Sequence, residues 1–188
     1  MKSEDKITNF YHFYPKIASV VVVKSKDRLN AMAVAWNVGI SSSPPLFGIL
    51  IAPKRYTHEL IIEAKEFSVN FLPIEKADIV AACGRTSGKK VNKFEKFKIE
   101  TIQSSKIISP ILKDAYAAYE CKLYSHSNLG DHTLFVGEII KVHYDENAFK
   151  EDGLKKIDIA KPTLYLGRDW YLNIEKFSTK HILVTSDQ

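Results

Sequence analysis

The hydrophobic positions of this chain fall into short runs separated by turn residues. Ile17 to Lys24 (I-A-S-V-V-V-V-K) is a β-branched run that suits a buried strand. Lys26-Asp27-Arg28-Leu29 makes a turn, and Asn30 to Ile40 returns as a second strand. A Ser41-Ser42-Ser43-Pro44-Pro45 cluster closes that run, and Leu46 to Ala52 forms a third. Thr57 is placed to cap a short helix that starts at His58 and ends near Ala64, with Leu60, Ile61 and Ala64 on one face. Phe67 to Leu72 alternates cleanly and stops at Pro73. Ile74 to Cys83 has helical spacing, and Gly84 sits where a C-terminal glycine belongs.

The second half is more open in pattern. Arg85 to Lys98 is polar and basic, a long loop or broken helix around Val91-Asn92-Lys93-Phe94, and loops of that length are often functional. Ala117 to Ser125 alternates and pairs, through Asn128-Leu129-Gly130, with His132 to Tyr144 as a hairpin of long strands. A polar stretch, Asp145 to Lys161, leads to Pro162-Thr163-Leu164-Tyr165-Leu166-Gly167 and a Trp170-Tyr171 tail. Six or so strands with short inserted helices and no βαβ alternation predict a mainly β protein, an antiparallel barrel closed on itself with peripheral helices. No repeat or boundary divides the chain, so residues 1–188 are expected to form one domain.

Composition narrows the function only a little. The chain is 188 residues long, 45% hydrophobic and 26% charged, as expected of an ordinary globular protein. Its formal net charge of +5 is spread along the chain, from Lys24-Lys26-Arg28 through Lys54-Arg55 to Lys155-Lys156. That suits an anionic small molecule as well as it suits nucleic acid, and no nucleic-acid or membrane partner is expected. Cys83 and Cys121 stand far apart with no CxxC, which reads as packing thiols in a reducing compartment rather than zinc ligands. No apolar h-region follows the polar N-terminus, and Leu46 to Ala52 is far below the ~20 residues of a membrane span, so a cytoplasmic protein is expected.

Familiar catalytic signatures fail. There is no G-x-G-x-x-G after a strand, no G-x-S-x-G and no H-E-x-x-H. Gly84-Arg-Thr-Ser-Gly88-Lys89-Lys90 is one residue short of a phosphate-binding P-loop and ends in Lys instead of Ser or Thr. What remains is the stretch from Asn30 to His58. Ala31, Ala33 and Ala35 would leave room on one strand face for something flat. The Lys54-Arg55-Tyr56-Thr57 turn would offer cations, a hydroxyl and helix N–H groups to an anion. An apolar groove ending at an anion site suits a phosphorylated aromatic cofactor. Gly130-Asp131-His132-Thr133 at the hairpin tip is explained by turn chemistry alone, and Trp36 by packing alone.

Read together, Asn30-Ala-Met-Ala-Val-Ala-Trp36, Ser43-Pro44-Pro45-Leu46, Arg55-Tyr56-Thr57-His58, Phe67-Ser-Val-Asn-Phe71, Lys93-Phe94 and Gly130-Asp131-His132-Thr-Leu-Phe-Val-Gly137-Glu138-Ile139 resemble the flavin reductase-like family of FMN-binding split barrels, which includes flavoredoxins and ferric reductases. The set covers residues ~15 to ~170, and its order and spacing make it specific. The resemblance implies a Greek-key split β-barrel, a homodimer, and FMN near the subunit interface. It places Asn30, Ala31, Met32 and Trp36 along the isoalloxazine and ribityl region. Arg55, Tyr56 and Thr57 would hold the phosphate, helped by Ser41 or Ser42. Lys93 and His132 would reach the flavin as candidate catalytic groups, and Tyr165 would pack on it from the tail. The implied activity is NAD(P)H-dependent reduction of flavin, a ferric complex or another acceptor. The alternative is a flavoredoxin-type FMN electron carrier with no NAD(P)H turnover, serving a partner protein. Met32 and Ala33 depart from the Thr or Ser found in related reductases, which would leave polar contacts there to the backbone.

Overall fold

A computed structural model describes residues 3, 5–7 and 9–174. Its strands are β1 (Lys16–Ile17), β2 (Ser19–Ser25), β3 (Arg28–Val34), β4 (Asn37–Ser42), β5 (Pro45–Ile51), β6 (Glu66–Phe71), β7 (Thr101–Ile102), β8 (Ile111–Leu112), β9 (Ala117–Leu129), β10 (His132–Tyr144), β11 (Leu164–Gly167) and β12 (Trp170–Leu172). Helices α1 (Tyr56–Ala64), α2 (Ala77–Arg85) and α3 (Lys93–Lys96) lie between them. Seven strands form one antiparallel sheet in the order β3-β2-β6-β9-β10-β5-β4, a mainly β, split-barrel arrangement. None of the described helices is long and apolar enough to cross a membrane.

The continuous valine run of β2 has a simple cause. Val21 and Val23 enter a core with Phe67, Phe135 and Leu60, while Val20 and Val22 enter a second core with Leu72, Val80 and Cys83. A strand covered on both faces has no reason to alternate. Between β9 and β10 the register shifts at Val136/Gly137. A Cβ on Gly137 would lie 2.6 Å from Phe67 Cζ and 2.8 Å from Cys121 Cβ, so the glycine lets the Phe67 ring fill the barrel interior.

The structure corrects several expectations. The sheet does not close: β3 and β4 are its two opposite edges, although only Ala35 and Trp36 separate them in sequence. The run from Asn30 to Ile40 is therefore two strands with a corner. Asn37 Nδ2 ties that corner by donating to Val34 O (2.8 Å) and Ile17 O (3.0 Å), and Leu50 N donates to Trp36 O at 2.9 Å. Gly84 lies inside α2, which ends one residue later; Thr86 closes the helix with N–H and hydroxyl bonds to Ala82 O. A separate sheet of order β1-β11-β12 was not foreseen.

Residues 103–110 have little regular structure and are held by two carboxylates. Glu120, fully buried, accepts from Ser105 N (2.9 Å), Lys106 N (2.6 Å), Ile107 N (3.2 Å) and His143 Nε2 (2.6 Å). Glu66 Oε1 accepts from Ile108 N (2.7 Å) and Ser109 N (3.0 Å). Amides without strand partners need acceptors, and these two side chains supply them.

Candidate functional site

A cavity of about 1180 Å³ opens where the β3–β4 corner, the β5–α1 turn, the α2–α3 connection, the β11–β12 hairpin and the N-terminal segment meet. Sheet β1-β11-β12 and the aromatic lead-in wall one side of it. Strand β3, the Ala35-Trp36 corner and the end of β5 wall the other. Side chains from distant parts of the chain thus converge beside the β3 edge.

At the β5–α1 turn, Lys54, Arg55, Tyr56 and Thr57 all line the cavity. Arg55 is the residue preceding the nine-residue α1 and makes no side-chain cap. The expectation that Thr57 caps the helix fails. It is fully buried in the first turn, and its Oγ1 accepts from Asn30 Nδ2 at 2.8 Å. Neither Lys54 nor Arg55 has a carboxylate within ion-pair distance among the described residues, and the first N–H groups of a helix have no partner within it. Cations, free amides and a helix N-terminus coincide.

Asn30 is 2% exposed, and its Oδ1 is a buried oxygen with no hydrogen-bond partner among the described residues. Gly88 approaches so closely that a Cβ there would fall 2.1 Å from that oxygen. Lys93 is 3% exposed, and its ammonium donates to Ala31 O (2.6 Å) and Cys83 O (2.8 Å), joining β3 to α2. Burial pushes the Lys93 pKa down. Two of its three protons are spent on backbone carbonyls. Burial likewise raises the Cys83 thiol to about 11, against the opposing influence of Lys93.

The other wall is aromatic. Trp36 Nε1 donates to Tyr14 Oη at 2.9 Å, and the Trp36 ring lies 4.6 Å from the His132 ring. His132 Nδ1 donates to Asp131 Oδ1 at 2.7 Å, so the Gly-Asp turn also orients the histidine. That hydrogen bond is the main reason the Asp131 carboxyl is held below its ordinary value. Tyr165 packs between Tyr14 (5.8 Å) and Tyr171 (5.4 Å).

The structure therefore brings Asn30, Met32, Trp36, Arg55, Tyr56, Thr57, Lys93, His132 and Tyr165 to one cavity. Three candidates stand apart. The Ala31 side chain is buried in the second core against α2, and only its carbonyl serves the site. Ser41 and Ser42 are exposed on β4 outside the lining, with Ser41 Oγ accepting from Ser43 N. Of the small-residue face, Ala33 and Ala35 do line the cavity, while Ala31 and Ala33 also make room for α2. Tyr14, Gly88 and Arg168 were missed. A Gly167-Arg168-Asp169 turn after an apolar run was a signal for the last of these, and Gly88 lies in the near P-loop that starts at Gly84, whereas nothing local marked Tyr14.

The structure matches an FMN-binding protein from Thermus thermophilus, crystallised with bound 1-cyclohex-2-enone, at TM-score 0.84 and 36% identity, covering 95% of this chain and 98% of that one. It matches the flavoredoxin of Desulfovibrio vulgaris (Miyazaki F) at TM-score 0.85 and 26% identity, covering 98% of each chain. By sequence, an NADH-dependent FMN reductase of Streptomyces nodosus subsp. asukaensis is 27% identical over 134 residues, 71% of this chain and 71% of that one. The family model described as flavin reductase like domain matches residues 11–171, and the chain belongs to that family.

Proposed function

We propose that this protein is an FMN-binding oxidoreductase in which NAD(P)H reduces the flavin and the electrons pass to a flavin, ferric or other small-molecule acceptor. The observation that carries the reading is the cavity itself. Among the described residues, one wall joins unpaired cations to a helix N-terminus, another is aromatic, and a buried amide oxygen has no partner. These groups fit FMN. Arg55, Lys54 and the α1 amides would take the phosphate, with Arg supplying a forked donor. Asn30 Oδ1 would accept from a flavin hydroxyl or ring N–H, and Trp36 and Met32 would flank the ring system. The relatives named above, an FMN-binding protein and an NADH-dependent FMN reductase, support the same reading.

When bound, FMN supplies the hydride and single-electron chemistry. The chain's own residues do the rest. Asn30, fixed by Thr57, orients the ring system. Trp36, held by Tyr14, covers one side and excludes water. His132, oriented by Asp131 through Nδ1, keeps Nε2 available to hold or move a proton at the cavity wall. Lys93 fixes β3 against α2 and places positive charge behind the site, which favours a reduced, anionic ligand.

The assembly proposed is a homodimer in the cytoplasm, formed of one flavin-binding domain per chain. Edge strand β4 supports the dimer, because it leaves Val38 and Ile40 each 45% exposed beside unpaired backbone. The deciding experiment is an anaerobic visible spectrum of the purified protein, before and after NADH or NADPH. Flavin bands near ~450 nm that bleach establish the reductase reading. Bands that persist until dithionite is added favour the electron carrier, the reading suggested by the flavoredoxin likeness. No bands after soaking in FMN would remove both.

A further inference from the structure

Among the described residues, the cavity wall carries Lys54, Arg55, Lys93 and Arg168 and not one carboxylate. Three of these belong to the region just assigned to flavin. Arg168 does not. It sits in the β11–β12 turn, where Gly167, Arg168 and Asp169 run at φ of 112°, 48° and 64°. Three left-handed residues in a row, two of them not glycine, persist only when the surroundings hold them.

The hold is visible. Arg85, the last residue of α2, grips Asp169 by both carboxylate oxygens: Nε donates to Oδ1 at 2.7 Å and Nη2 contacts Oδ2. That fork pins the turn to α2 and neutralises the acid next to Arg168. Among the described residues Arg168 has no carboxylate partner, while Thr86 and Ser87 of the α2–α3 connection share the cavity with it. The cavity also exceeds the roughly 300–1,000 Å³ that usually serves one ligand. A second anionic molecule fits the space and the charge.

We propose that Arg168 is a specificity-determining residue that receives the diphosphate of the nicotinamide dinucleotide reductant, with the Arg85–Asp169 pair positioning it. The inference rests on the reading that NAD(P)H reduces bound flavin. A dinucleotide carries its phosphates away from its reacting ring, so it needs a cation on a different wall from the one that holds the flavin phosphate. A guanidinium fork matches two phosphate oxygens at once.

The test uses the FMN-loaded full chain and follows flavin reduction anaerobically in a stopped-flow instrument. Three donors are compared: NADH, NADPH and 1-benzyl-1,4-dihydronicotinamide, which has no phosphate. Arg168→Ala is expected to raise the half-saturating NAD(P)H concentration about 10- to 100-fold, the loss of one charged phosphate contact. Its limiting rate, its rate with the phosphate-free donor and its FMN affinity by fluorescence titration should stay within about threefold of wild type. Calorimetric binding of the oxidised dinucleotide should weaken in parallel. Arg168→Lys should recover part of the loss, and Asp169→Asn should show a smaller rise. Unchanged half-saturation in Arg168→Ala overturns the proposal. So does an equal loss with the phosphate-free donor, or weakened FMN binding, which would assign Arg168 to the flavin. Failure of the functional reading is seen instead in the wild type, which neither dinucleotide would then reduce.

Discussion

Asn30 Nδ2 donates to Thr57 Oγ1 across 2.8 Å, which ties β3 to the first turn of α1 and leaves Asn30 Oδ1, beside Gly88, without a partner among the described residues. A buried acceptor left open costs stability until something donates to it. Asn30→Leu keeps the branch at Cγ and removes both functions, so it should weaken FMN binding about tenfold, roughly 1.4 kcal/mol. Fluorescence titration of FMN measures it. Wild-type affinity in this variant would show that the ligand does not use that oxygen.

Arg55 and Thr57 act on the same turn in different ways, one toward the ligand and one through Asn30. Arg55→Ala alone should lose about 1.5–3 kcal/mol of FMN binding, as for a charged phosphate contact. Thr57→Ala should add a smaller loss. Free riboflavin, which has no phosphate, serves as control: its affinity should ignore Arg55→Ala. If riboflavin and FMN weaken equally, the phosphate lies elsewhere.

His132 packs against Trp36 with the two rings tilted and is oriented by Asp131. Both are close to the surface, so His132→Ala and Asp131→Asn should leave the melting temperature within about 2 °C, in line with surface substitutions. The variants should shift flavin reduction rate and its pH profile, measured by anaerobic stopped flow. A large fall in melting temperature with normal rates would make the histidine a packing residue.

Burial pushes the Glu120 pKa up, but the Ser105 and Lys106 amides, the Ser105 hydroxyl and His143 outweigh it and hold it at about 2. A carboxylate lowered in the fold stabilises above its unfolded value of 4.5, and that contribution fades as pH falls from there toward 2. Wild-type melting temperature should therefore drop steeply below about pH 4.5. Glu120→Gln should flatten that limb and lose roughly 3 kcal/mol at neutral pH, as for one broken buried pair. Differential scanning fluorimetry across pH resolves both.

Cys83 and Cys121 are fully buried, and burial raises their thiols to about 11 and about 12. The thiolate is the reactive form. Native protein at pH 8 should resist iodoacetamide at both positions, while the chain in urea should take two labels, counted by mass spectrometry. Rapid native labelling of either would show that its side chain opens to solvent.

Much of the fold was legible because the valine run, the Phe67–Phe71 alternation and the long hairpin each carry a local period. What escaped was set by distant contacts. The corner at Ala35-Trp36 looks like continuous strand until Asn37 is seen bonding Val34 and Ile17. Thr57 has the residue type and place of a helix cap, yet burial and Asn30 claim its hydroxyl. In the site, Arg55, Trp36 and His132 were visible through chain order and spacing. Tyr14 was not, because its role depends on a partner 22 residues away. The two serines of β4 have the chemistry of phosphate ligands, and the strand carries them to the surface.

The unclosed sheet has a consequence for how the protein moves. Strands β3 and β4 are neighbours in sequence and opposite edges in space, and the cavity opens on the β3 side, against β3, the Ala35-Trp36 corner and the end of β5. A molecule seated there adds contacts to an edge that no further strand covers. Without it the chain should open first along β3, whose amides should exchange early. With FMN bound, exchange along β3 should slow, so that gaining the cofactor also steadies one open edge of the sheet.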